Sequence, residues 1–312
     1  MDDRLLAQLI LAERLPKNHA AWQPLAADLK NLLAGAGGES RTVELLKREL
    51  ELDEAPVLLV DVHVTYQGGF AQIDVLVVHA AFVCVLEVKN MRGEFFFDAE
   101  NFQFHRMVDG RLEGMRNPES QLHRAVKAIR KFLEVPVEGV IVLASRSARV
   151  VEKPAAYPVV ALHYLPFYLE GLDKGGKLFD VEELSRKLGA LPKRVFRGNV
   201  MAQYGLTAES LRLGVTCPDC RSRSLGRKNR KWHCAGCDGV FIDAHEVALQ
   251  EYAVLFGEEL ATQFAYRLLG VEDKYLLYRL LEKSALQGDK RGKRWIVPRR
   301  ELLMEYFGAI YK

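Results

Sequence analysis

The 312-residue chain sets 44 lysines and arginines against 41 aspartates and glutamates, a formal charge of +3, with 49 % hydrophobic and 27 % charged residues. That is globular composition with length for two or three cores, and the near-balanced charge says little about partners until its distribution is read. The acidic start MDDRLLAQLILAERL lacks a cleavage-like small-residue site, and the longest apolar stretch, Val75 to Val88, is too short for a membrane span and contains His79 and Glu87. A cytoplasmic protein with no membrane partner is expected.

Residues 1–35 have helical periodicity through Leu5, Leu6, Leu9 and Ile10, then Trp22, Leu25, Leu29, Leu32 and Leu33. GAGG at 35–38 reads as a break, with a new helix opening at Glu39 or Ser40 and carrying Val43, Leu46 and Leu50 on one face. Strands are predicted at about 57–65, 72–79 and 82–90, then one or two more in 93–111, with turns at 98–101 and 109–110. Asn117–Pro118 announces a helix with Leu122, Val126, Ile129 and Phe132 at helical spacing, followed by strands at 139–145 and 157–165. This order predicts an α/β mixed sheet flanked by helices. Residues 166–213 are charged and mostly helical, and helices with one hairpin fill 243–312.

The stretch QIDVLVVHAAFVCVLEVKN (72–90) is apolar enough to be buried, yet it holds Asp74, Glu87 and Lys89. On the second strand Phe82, Cys84, Leu86 and Val88 share an apolar face, while Val83, Val85, Glu87 and Lys89 share the other. A hairpin with a four-residue loop centred on Ala80–Ala81 pairs residues whose numbers sum to 161, so Asp74 faces Glu87 and Gln72 faces Lys89. Like charges directly opposite destabilise a sheet. A cation such as Mg²⁺ between the carboxylates turns that liability into a hydrolytic site, with the lysine beside it to position water or stabilise phosphate charge. The alternative is an exposed strand end with no chemistry.

GGE at 37–39, QID at 72–74, FVCVLEVKN followed by RG at 82–93, and NPESQ at 117–121 resemble the nuclease-related domain (NERD) family of the PD-(D/E)XK phosphodiesterases, over about residues 35–145. The resemblance implies a restriction-endonuclease-like fold, with Asp74 and Glu87 binding Mg²⁺ or Mn²⁺ and Lys89 completing the D…E-x-K core. It implies that Glu39 supports the metal from the first helix, with Glu44 as fallback. Gln121 matches the polar residue opening the later helix, where a helix-start residue without chemistry is the competing reading. Relatives usually carry a tryptophan between the E-x-K strand and the NP motif; Phe102 and Phe104 stand there as core substitutes.

CPDC (217–220) and CAGC (234–237) make C-x₂-C-x₁₃-C-x₂-C. Two such knuckles place Cys217, Cys220, Cys234 and Cys237 on one structural Zn²⁺ as a zinc ribbon, with two disulfides as the alternative. Cys84 stands alone and reads as a small core residue. Between the knuckles Arg221, Arg223, Arg227, Lys228, Arg230, Lys231 and Trp232 suit phosphate contact and base stacking, or make a solvated hairpin. Residues 261–307 resemble winged-helix domains of excisionase or MerR type, which implies phosphate contacts from Lys290, Arg291, Lys293 and Arg294, with Trp295 and Ile296 packing the core. A helical subdomain that only packs or dimerises is the alternative.

The expected organisation is a helical segment (1–36), a nuclease-like domain (37–165), a helical connector (166–213), a zinc ribbon (214–242) and a helical or winged-helix region (243–312). The expected function is metal-dependent hydrolysis of DNA. A non-catalytic nucleic-acid-binding protein keeping the nuclease fold is the alternative, and a protein-docking scaffold built on the ribbon is a third reading.

Overall fold

Leucine spacing at the N-terminus produces α1 (Asp3–Arg14), which buries Leu5, Leu6, Leu9 and Ile10, and then α2 (Trp22–Glu49). The computed structural model describes residues 3–191, 199–223, 225–283, 287–289 and 294–297. The GAGG run does not break the chain, because α2 passes straight through it. Close packing explains Gly38. A Cβ on Gly38 would sit 2.7 Å from Asn90 Cβ and 3.5 Å from Val88 Cγ1. Asn90 Nδ2 then donates to Ala34 O at 2.7 Å, pinning the helix to the strand end it covers.

The apolar runs form β1 (Val57–Tyr66), β2 (Gly69–Val78) and β3 (Val83–Lys89). The β2–β3 ladder pairs Val78 with Val83, Val77 with Cys84 and Leu76 with Val85, around the four-residue loop His79–Phe82. Residues 93–115 give three strands rather than one or two: β4 (Gly93–Asp98), β5 (Gln103–Val108) and β6 (Arg111–Met115). The first turn is held by Asp98 Oδ1, which accepts from the amides of Glu100 and Asn101. The second uses Asp109 and Gly110, both at positive φ, as a two-residue hairpin turn requires. Helix α3 (Pro118–Leu133) starts with Asn117 Oδ1 accepting from Glu119 N and proline in its first turn. Strands β7 (Glu138–Leu143), β8 (Ala148–Glu152) and β9 (Val159–Ala161) and helices α4 (Leu165–Glu170) and α5 (Val181–Gly189) follow.

These strands form a mixed five-stranded sheet, β1-β2-β3-β7-β9, and a second sheet, β6-β5-β4-β8. On one face of the first sheet Phe82, Cys84, Leu86 and Val88 pack with Leu46 of α2 and Leu165 and Leu169 of α4. On the other, Val83 and Val85 pack with Leu122, Ala125 and Ile129 of α3 and with Phe95, Phe97 and Phe104 of the second sheet. Phe104 is thus core, but Phe102 is exposed at φ 56°, so only one of the two phenylalanines fills the interior.

The chain divides into two units, residues 31–195 and residues 1–30 with 196–312. In the second, α6 (Val200–Gln203) precedes a three-stranded ribbon, β10 (Leu225–Lys228), β11 (Lys231–Cys234) and β12 (Val240–Phe241). Then come α7 (Ala244–Phe256), β13 (Glu259–Ala261), α8 (Thr262–Leu269), α9 (Lys274–Lys283), β14 (Gln287–Asp289) and β15 (Arg294–Ile296), with sheet order β13-β15-β14. Trp295 joins the core of this unit and donates from Nε1 to Thr262 Oγ1 at 3.1 Å, whereas Ile296 is exposed, contrary to its expected core position. Among the described residues no helix is long and apolar enough to cross a membrane.

The two glycine environments in α2 make opposite predictions. Gly38→Ala is expected to destabilise by about 1–3 kcal/mol through overpacking. Gly35→Ala, with nothing within 4 Å of its Cβ, is expected to stabilise by up to about 1 kcal/mol through helix propensity. Urea unfolding of both variants checks the pair.

Candidate active site and metal centre

Alternation along β3 puts Glu87 and Lys89 on the face covered by α3. Glu87 is only 4 % exposed. Its Oε1 accepts from Lys89 Nζ at 2.6 Å, and the same ammonium donates to Gln121 Oε1 at 3.1 Å. Gln121 lies in the first turn of α3, so the cap at Asn117 and the apolar face of the helix aim it at β3. Lys89 therefore finds Gln121, and not Gln72. Gln72 is exposed and donates from Nε2 to Asp61 Oδ1 at 2.9 Å.

Asp74 lies one step beyond the last rung of the ladder, Val75 with Leu86, in the register that sets it opposite Glu87. Instead of a ladder bond, Asp74 Oδ2 accepts from Val88 N at 2.8 Å. Burial first, then the charge of Glu87, push Asp74 up to about 7, against the opposing effects of Lys89 and the Val88 amide; Asp61 adds to the rise. Two acids share one cation here, and the second takes up a proton more readily than an ordinary aspartate.

Glu39 sits on the α2 turn next to Gly38, the turn pinned to the end of β3. Glu44 is exposed and accepts from Ser40 Oγ at 3.4 Å. Among the described residues the four cysteines are the set of three or more potential ligands close enough to share an ion; Asp74, Glu87 and Glu39 do not form another in this conformation. Asp61 is the site neighbour that motif reading missed. An aspartate inside the apolar run LLVDVHV was the available signal.

The sulfurs of Cys217, Cys220, Cys234 and Cys237 lie within 4.8 Å of one another, with Cys217–Cys237 at 3.6 Å and Cys220–Cys234 at 3.5 Å. None of the four is in a disulfide. Four sulfurs at about 2.3 Å from a tetrahedral zinc ion would stand about 3.8 Å apart, so the cluster could hold structural zinc. Each knuckle turns through a left-handed residue directly after its second cysteine, Arg221 at φ 61° and Asp238 at φ 56°.

The basic residues between the knuckles divide into two groups. Arg221 pairs with Glu13 of α1 and with Glu251 of α7, and Arg223 is driven down to about 10 by burial and then by the charge of Arg14. Trp232 is 2 % exposed and donates from Nε1 to His245 Nδ1 at 3.3 Å, so its ring belongs to the core and is not offered to a base. Arg227 lies over that ring at 5.1 Å. Lys228, Arg230 and Lys231 point outward at the hairpin tip. Lys228 and Lys231 are directly opposed, and Arg230 and Asn229 both adopt positive φ in the two-residue turn. Like charges across a ladder cost stability, so this tip is arranged at some expense. Arg294 is paired with Glu259 at 2.7 Å, while Lys290, Arg291 and Lys293 lie outside the described residues.

With this geometry in place, comparison with known proteins gives one finding. The family model of the nuclease-related domain (NERD) matches residues 34–144, just over a third of the chain. That segment, which holds Glu39, Asp74, Glu87, Lys89 and Gln121, is similar to nuclease-related domains. No curated protein and no solved structure matches the chain.

The ribbon is anchored by a second buried ion pair. Arg14, 2 % exposed, donates from Nε to Glu251 Oε2 at 2.9 Å, and Glu251 is fully buried. Arg14→Met alone should strip Glu251 of its main countercharge and destabilise this unit by about 3–5 kcal/mol, whereas adding Glu251→Leu should restore most of the loss. Chemical denaturation of the single and double variants measures both.

Proposed function

We propose that the chain is a metal-dependent nuclease hydrolysing DNA phosphodiester bonds, with a PD-(D/E)XK-type site of Asp74, Glu87 and Lys89, supported by Glu39 and Gln121. The observation that carries this reading is the Lys89 ammonium held between Glu87 and Gln121 beside a second carboxylate that burial and Glu87 push up to about 7. A pocket of carboxylate oxygens short of positive charge suits a hard divalent cation, so the donor set fits Mg²⁺ or Mn²⁺. Such an ion would neutralise phosphate charge and lower the pKa of an attacking water.

The chain's own groups supply the rest. Asp74 and Glu87 present oxygens from neighbouring strands. Lys89, whose ammonium lies between Glu87 and Gln121, would donate to the attacking water or to a phosphate oxygen. Gln121 keeps the lysine aimed from the α3 side. The outward cations Lys228, Arg230 and Lys231 suit phosphate contact, and the helix–strand–helix–helix–strand–strand order of residues 244–296 supports a winged-helix reading. The four cysteines would hold a structural zinc ion, which would fix the ribbon.

Purified protein should cut labelled linear or circular DNA with Mg²⁺ or Mn²⁺ and stop with EDTA. Lys89→Ala, folded and zinc-loaded, should be about 100-fold slower or worse, as loss of a group acting on the transition state implies. Wild type and variant binding DNA alike with neither cleaving would favour the binding-protein alternative.

The proton on Asp74 gives a second test. The folded chain holds it up to about 7, while an unfolded chain releases it near 3.8. Stability of the metal-free protein therefore falls as pH rises through that window. A divalent ion competes with the same proton. The Mg²⁺- or Mn²⁺-dependent rise in Tm should be larger at pH 8 than at pH 6, and Asp74→Asn should abolish it.

A further inference from the structure

Ile73 and Asp74 are neighbours in sequence, yet both are needed on the α3 side of the sheet. Ile73 is fully buried in the core under α3. Asp74 shares the parity of Leu76 and Val78, which face that same core, and its carboxylate feels Glu87 and Lys89. A regular strand sends consecutive side chains to opposite faces. The structure resolves the conflict with a kink running across both strands. On β2 the core-facing residues are Ala71 and Ile73, then Leu76 and Val78, while Val75 and Val77 face the other core. On β1 they are Val57 and Leu59, then Val62, Val64 and Tyr66. Both strands change parity at the same rung, where Asp61 stands opposite Asp74.

The pairing on either side confirms a local event. Val60 pairs with Val75 and Val62 with Ile73, both in one register, but the rung between them is missing. Asp61 has φ 51°, a left-handed conformation inside a ten-residue strand. Aspartate, asparagine and glycine tolerate that region; β-branched residues do not. Its side chain is tied down by Gln72 Nε2, and its carbonyl lies 3.1 Å from His63 Nδ1.

We infer that Asp61 is a positioning residue: its left-handed backbone kinks β1 and β2 together, so that Asp74 reaches Glu87 and the Val88 amide while Ile73 stays in the core. The consequence for cleavage rests on the nuclease reading; the consequence for the Val88 amide does not. A residue that favours straight strand should send Asp74 and Ile73 to opposite faces, and Asp74 then leaves the site.

The test compares Asp61→Asn, Asp61→Gly and Asp61→Val in the full chain. Mg²⁺-dependent DNA cleavage is measured alongside amide hydrogen exchange at Val88, with Val77 and Cys84 as ladder controls. Asn and Gly should stay near wild type in both measurements. Val should lose about 100-fold in kcat with KM little changed, and its Val88 amide should exchange about tenfold faster while the controls hold. Should the Val variant not fold, Asp61→Ala carries the same comparison. A Val or Ala variant matching wild type at Val88 overturns the inference, as does an equal loss in Asn and Gly, which would assign the effect to charge. If wild type does not cleave, the nuclease reading falls and the exchange data alone decide the role of Asp61.

Discussion

The carboxylate of Glu87 is held out of water on a central strand, where an uncompensated charge costs several kcal/mol. Lys89 answers it from two residues along the same face, and Gln121 takes up the remaining reach of the ammonium. That single contact ties strand to helix. It needs β3 flat against α3, so Val83 and Val85 must pack under Leu122 and Ile129. It also needs α3 to begin where it does, which the Asn117 cap and Pro118 secure.

Two buried ionic arrangements in the molecule show opposite balances. Arg14 and Glu251 meet as a matched pair, reinforced by Arg221 and by backbone carbonyls of Arg212 and Gly214 around the guanidinium. That arrangement is suited to holding α1, the knuckle and α7 together. Asp74 and Glu87 share a single lysine, and burial and Glu87 push Asp74 up to about 7. An excess of acid maintained in a packed interior costs stability, and structure alone gives no return for it. The contrast separates an anchoring network from a candidate functional site.

Much of this could be read from residue order. Alternation in 82–90 assigned the two faces of β3, and the sum rule around Ala80–Ala81 gave the β2–β3 register, because a four-residue loop leaves the strands no slip. The cysteine spacing brought four sulfurs together, since each knuckle is a local turn. The misses have a common origin in contacts made across long sequence separations. GAGG reads as a helix break because glycine lowers propensity, but the close approach of Asn90 uses the absent side chain of Gly38. Arg221 and Trp232 looked like ligand contacts because nothing local announces Glu13 or His245 as partners. Asp61 escaped notice because its importance lies in the strand beside it.

The topology also explains why these groups gather at this end of the sheet. β3 and β7 run parallel, so the chain leaves β3 at Lys89 and must return to the opposite end before it can enter β7. It uses the departure to build β4, β5 and β6, and the return to run α3 antiparallel to β3. The carboxyl end of β3 and the amino end of α3 therefore lie together by construction, and crevices at the carboxyl ends of strands are where open α/β sheets take ligands. The kink at Asp61 adds Asp74 to that end from the antiparallel neighbour, whose chain direction alone would not bring a carboxylate there on the correct face. The site is thus assembled from one parallel crossover and one local departure from strand regularity.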